Sequence, residues 1–179
     1  HTQLPVLLSE YSFYDTQDVE TYLALLKETP AYFDSVIQFE QKKAASGLFM
    51  PDYQVDSVLD TCQSFIDMGK ENYLVSTFDE RIASLDLLPE NKKDSFRKEN
   101  VKLVTEEIYP AYQNLITAIK SLKGKGTNEQ GLSHFPYGKK YYEYLVRQAT
   151  GCNESISRLR LMTRAQILED LSAMQKVLF

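Results

Sequence analysis

Residues 101–122 read VKLVTEEIYPAYQNLITAIKSL, and their spacing decides the fold class. Val101, Val104, Ile108, Ala111, Leu115, Ala118 and Leu122 recur at intervals of three and four. That period is one face of a long helix packed against other helices, whereas a strand would need alternation at every second residue. Pro110 interrupts the run. It has no N–H to donate and its ring collides with the preceding turn, which costs ~3 kcal/mol inside an unbroken helix. The expectation is one helix from about Glu90 to Leu122, kinked or broken between Glu106 and Pro110.

The same period extends in both directions. Asp15 caps a helix carrying Val19, Tyr22, Leu23 and Leu26 on one face. Thr29-Pro30 reads as a restart, with threonine capping and proline at the first helical position. That second helix runs through Phe33, Val36 and Ile37 to a terminator at Gly47. Pro51-Asp52 opens the next, through Val55, Val58, Leu59, Cys62, Phe65 and Ile66 to Gly69. Another carries Leu74, Phe78, Ile82 and Leu85 and stops near Pro89. After a long loop at 123–137, helices follow from Gly138 to Thr150 and from about Ser155. The last carries Leu161, Ala165, Leu168, Leu171, Met174 and Leu178. Leu4 to Leu8 reads as coil or a short helical turn. The expected architecture is all-α, a bundle of about seven helices in a single helical domain spanning 1–179.

With 179 residues, 43% of them hydrophobic, the chain can close a real core. A net charge of −5 argues against general nucleic-acid binding, which needs a basic footprint. Its basic pairs, Lys92-Lys93 and Arg97-Lys98, are interrupted by acids and read as solvated helix faces. No apolar run approaches the ~18 residues of a membrane span, so this segment is not expected to insert in a membrane. The chain starts at His1 and stops in mid-pattern at Phe179, and it is therefore expected to be a piece of a longer protein.

Chemistry is sparse. His1 and His134 are the only histidines and form no His-Glu-x-x-His, so no metal site, cofactor or catalytic residue is assigned to this chain. Cys62 sits on an apolar stripe and reads as an inert thiol of raised pKa, Cys152 as a loop thiol. Whether the two pair is open. Lys123-Gly124-Lys125-Gly126-Thr127 lacks the spacing of a phosphate loop and reads as a flexible basic turn. Glu106 and Glu107 read as acids on the wet side of the long helix.

The densest aromatic stretch is 135–151, FPYGKKYYEYLVRQATG. A Pro-Tyr-Gly turn opens into a helix. Tyr141 and Tyr144 share a side with Leu145 and read as core, while Tyr142 points away, open to solvent or a ligand.

Gln3-Leu4-Pro5, then DVETYL at 18–23, GLFMP at 47–51, YPAY at 109–112, PYGKKYY at 136–142 and ATG at 149–151 follow one another in order. In that order they resemble the bacterial family known as domain of unknown function 885, over nearly the whole chain. Its members are often named lipoproteins and are similar to gluzincin-type zinc metallopeptidases, whose His-Glu-x-x-His helix lies far downstream of a Gly-x-x-Tyr-Tyr motif. The resemblance implies a helical fold, an envelope or secreted location, zinc in the full-length parent and peptide as substrate. It transfers no zinc ligand to these residues. It does place Gly138, Tyr141 and Tyr142 in the Gly-x-x-Tyr-Tyr motif, as candidates for a substrate-cleft wall. The expected role is the non-catalytic helical portion of a zinc-peptidase-like envelope protein, partnered by the remainder of its parent chain. The alternative is a helical binding or scaffold module without enzymatic activity.

Overall fold

Helices are the regular elements of the computed structural model, which describes residues 2–127 and 129–178. His1 and Phe179 lie outside the described residues, as does the side chain of Leu178. The chain divides into two compact units, His1–Glu129 and Gln130–Phe179. The first holds α1 (Gln3–Ser9), α2 (Thr16–Ala45), α3 (Asp52–Asp67), α4 (Tyr73–Ala83), α5 (Glu90–Leu103) and α6 (Tyr109–Ser121). The second holds α7 (Gly138–Thr150) and α8 (Ile156–Leu178). The all-α expectation holds. The described residues form eight α-helices, seven if α5 and α6 are counted as one.

Helix α2 starts and stops as its sequence dictates. Asp15 accepts from the Asp18 N–H at 3.1 Å, and Asp18 accepts in return from the Asp15 N–H at 3.3 Å. At the far end Gly47 adopts φ 69°, Leu48 N–H donates to Lys43 O at 2.9 Å and Gly47 N–H donates to Ala44 O at 3.1 Å. The expected restart at Thr29-Pro30 does not occur, and α2 runs through Pro30 without a break. Thr29 Oγ1 donates back to Leu25 O at 3.3 Å instead of capping a new helix. Leu26 and Phe33 are buried on either side of the proline, so packing outweighs the lost backbone hydrogen bond.

The run from Glu90 to Leu122 is divided by a π turn at Val104–Ile108. Tyr109 N–H donates to Val104 O, five residues back. The wider turn accommodates Pro110 in the first turn of α6, where its missing donor costs little. Beyond it Ala111, Tyr112, Leu115, Ile119 and Leu122 are buried, and Ala118, expected on the stripe, packs partly buried beside them.

Tyr112 is the hub of the first unit's core. Its ring stacks on Phe65 of α3 at 4.4 Å and meets Phe33 of α2 edge-on at 4.8 Å. A second cluster anchors the N-terminal segment. Arg81 of α4 lies over the rings of Phe13 and Tyr22, at 4.5 Å and 4.9 Å, and donates to Leu8 O and Tyr11 O. Buried polar groups serve helix ends. Asn72 accepts from Leu74 N–H at the start of α4 and donates to Phe65 O near the end of α3. Lys93 Nζ donates to Ala83 O at the end of α4.

The Lys123–Thr127 turn is tied down, in contrast to its expected flexibility. Lys123 pairs with Asp56, Gly124 N–H donates to Asp52 at 2.8 Å and Thr127 donates to Gly47 O at 2.8 Å. A Cβ on Gly126 would lie 2.4 Å from Met50 O, so only glycine allows this approach.

Two outcomes follow for the first unit. Phe33→Ala removes one side of the Tyr112 contact and is expected to cost about 3–5 kcal/mol in urea unfolding; a loss under about 1 kcal/mol contradicts the assigned packing. Cys62 is buried, and burial pushes its thiol from 9.0 up to about 11; both cysteines are free thiols. The unfolded chain releases this proton earlier than the folded one, so stability is full below pH 9.0 and falls as pH rises through about 11. At pH ~8 a maleimide should label half-exposed Cys152 and spare Cys62 until the chain unfolds. Mass spectrometry reads both sites.

Candidate functional site

The second unit is organised by one close approach. The carbonyl of Leu132, in a 3₁₀ turn at Leu132–His134, rests on the Cα of Gly138. A Cβ there would lie 1.6 Å from Leu132 O and 2.7 Å from its carbonyl carbon, and backbone cannot swing aside. Gly138 N–H donates to Phe135 O at 2.9 Å, and Tyr137 turns into the left-handed region at φ 60° before α7 begins. Glycine at 138 is thus a steric requirement of this turn. His134 is exposed in the same turn, as a surface residue.

Tyr141, Tyr142 and Tyr144 are each about half exposed. Tyr141 and Tyr144 stack on each other at 6.2 Å. Neither is buried within this unit, where the sequence predicts core residues. Among the described residues of this unit only Gly138 is buried, so α7 has no core to enter.

Tyr142 faces a groove of about 420 Å³ between α7 and α8. Val146 shares its side of α7, one turn on. Ile156, Leu159, Arg160, Thr163 and Arg164 come from α8. Spacings of three and four put these α8 residues on one side of the helix. Arg160 and Arg164, one turn apart, make no ion pair among the described residues. An apolar floor, a phenol and two unpaired guanidinium groups suit a ligand with an apolar body and a carboxylate. Of the motif candidates, Tyr142 lines the groove directly, Gly138 fixes the turn that launches its helix, and Tyr141 stacks on Tyr144 instead. Arg160 and Arg164 were not singled out from sequence, although their four-residue spacing was readable there.

A second groove, of about 460 Å³, lies beside the π turn of the first unit. Lys27, Lys98, Glu99, Lys102, Glu106 and Glu107 supply its charges. These largely satisfy one another, Lys27 to Glu99 at 2.9 Å and Lys102 to Glu106 at 3.8 Å. Glu106 is exposed and Glu107 half-buried, in keeping with a wet helix face. No cluster of three His, Cys, Asp or Glu among the described residues could hold a metal ion.

Gly138→Ala is expected to break the 132–138 turn. Amide exchange of 132–142 should speed up at least tenfold, with α2 and α6 unchanged. Unaltered exchange would show that the turn yields without cost.

No helix among the described residues is long and apolar enough to cross a membrane. Among curated proteins none matches the chain. Among solved structures, the chain is similar to a "putative lipoprotein" from Colwellia psychrerythraea, with a TM-score of 0.82 at 18% identity. That likeness, which speaks for the fold, covers 99% of this chain and 31% of the other, so the chain spans about a third of its solved relative. The family model described as bacterial protein of unknown function, DUF885, matches residues 1–178, and the chain belongs to that family.

Proposed function

We propose that this chain forms one wall of a peptide-binding cleft in a longer bacterial envelope protein whose zinc-peptidase chemistry resides outside these residues. The observation that carries the reading is the α7–α8 groove, where Tyr142 stands opposite Arg160 and Arg164. A peptide offers what this groove selects, apolar side chains and a terminal or side-chain carboxylate. Tyr142 would supply ring contact and a hydroxyl donor, and the arginines would hold the carboxylate. Gly138 would position the helix that presents Tyr142, and Tyr141, stacked on Tyr144, would brace the same helix.

Zinc finds no ligand set among the described residues. Under this reading the metal belongs to the parent chain. A longer parent is supported by the solved relative, of which this chain covers only 31%. The envelope location is supported by that relative's lipoprotein name. These residues would bind and orient a peptide, leaving water activation to groups elsewhere.

The test uses the full-length parent with zinc supplied. Metal-dependent cleavage of a peptide library is expected. Tyr142→Ala should raise KM about tenfold or more while stability changes by under about 0.5 kcal/mol, as for an exposed side chain. A stability loss of ~3 kcal/mol would make Tyr142 a core residue instead. An intact parent that cleaves no peptide would leave a helical binding or scaffold module.

A further inference from the structure

Helix α8 runs for 23 residues, and none of its described side chains is buried. Leu161, Leu168, Leu171 and Met174 are each more than half exposed. At 3.6 residues per turn its apolar residues do not form one stripe. Leu161 and Leu168 lie on one side, Ile167 and Met174 on a second, Met162 and Val177 on a third. A surface helix shows a single apolar face, whereas α8 carries exposed apolar side chains on several sides, interspersed with Arg158, Arg160, Arg164, Glu169, Asp170 and Lys176. In the first unit, by contrast, α2 and α6 bury one face each in a closed core.

We infer that α8 is a core helix of the intact protein, enclosed on several sides by further segments of the same polypeptide, with an acidic group of those segments opposite Arg158, the arginine outside the groove. Two observations choose this occupant. Arg158, which does not line the groove, has no ion-pair partner among the described residues, so an acidic group is the complement it lacks. The similar solved chain is about three times as long as the part this chain covers, which supplies enough polypeptide to wrap a helix. A second copy meeting α8 across a two-fold axis would cover one strip and leave the other sides wet. A membrane surface would likewise take one face only. The inference shares with the cleft reading the longer parent chain, but not the peptidase activity.

Leu168→Cys and Ser172→Cys probe one side of α8 and Met162→Cys a second side, and each is placed in a Cys152→Ser background. Maleimide labelling is compared between the full-length parent and the 179-residue chain. The parent is expected to label at least about a hundredfold more slowly, the isolated chain quickly. Ser172→Cys changes one atom on an exposed residue, so it keeps the test alive should Leu168→Cys disturb folding. Equally fast labelling in both overturns the inference, as does a gene that ends at Phe179. Slow labelling of the 179-residue chain overturns it too. In that case a concentration-dependent rate marks a second copy as the occupant, and a concentration-independent rate marks residues 1–129.

Discussion

The ring of Tyr112 holds three helices together. It stacks on Phe65 of α3 and receives the edge of Phe33 of α2 while belonging to α6. Each contact carries about 0.5–1.5 kcal/mol beyond the area it buries. Their geometry leaves little freedom in how α6 turns about its axis. That phase is set upstream by the π turn at Val104–Ile108. Removing one residue there would rotate α6 by about 100° and carry the Tyr112 ring out of the core. The proline that would break a regular helix thus sits beside the turn that keeps its register.

The two units solve the problem of burial differently. In the first, long apolar side chains from six helices fill one core, and the polar groups inside it cap helix ends or bridge carbonyls. The second buries only a glycine among its described residues. A segment of some fifty residues with two helices offers too little apolar contact to offset its conformational entropy. Its order rests on local devices, the Leu132–Gly138 approach and the left-handed stop at Gly151.

What was legible in the sequence follows this division. Element type and most boundaries could be read because the three-four period and the caps at Asp15, Gly47 and Gly69 act locally. Pro30 and Ile119 could not be read. Pro30 stays helical because Leu26 and Phe33 pack on either side of it, a tertiary effect that outweighs propensity. Ile119 is buried beside a partly buried Ala118, because the buried face of α6 is wider than a single three-four stripe. The motif residues showed a converse limit. Density of aromatics suggested core for Tyr141 and Tyr144, yet burial depends on what a helix faces. Of the site, Gly138 and Tyr142 were legible as a motif; Arg160 and Arg164 were not, since only the fold brings α8 to the Tyr142 side of α7.

Exposure and chemistry are linked in the second unit. The same helix that leaves Leu168 and Met174 in water offers Arg160 and Arg164 to the Tyr142 groove. An arginine pair facing bulk solvent is worth little, since water screens it. Enclose α8 in apolar protein, and the dielectric around those guanidinium groups falls while their hold on a carboxylate strengthens. The price is that any arginine left without an acid becomes costly. Two of the three arginines line the groove and one does not, so a ligand carboxylate could serve Arg160 and Arg164 while Arg158 requires an acid from the protein itself. Enclosure of α8 would therefore both complete the fold and turn a solvent-exposed groove into a binding site, which makes the covering segment the element on which function turns.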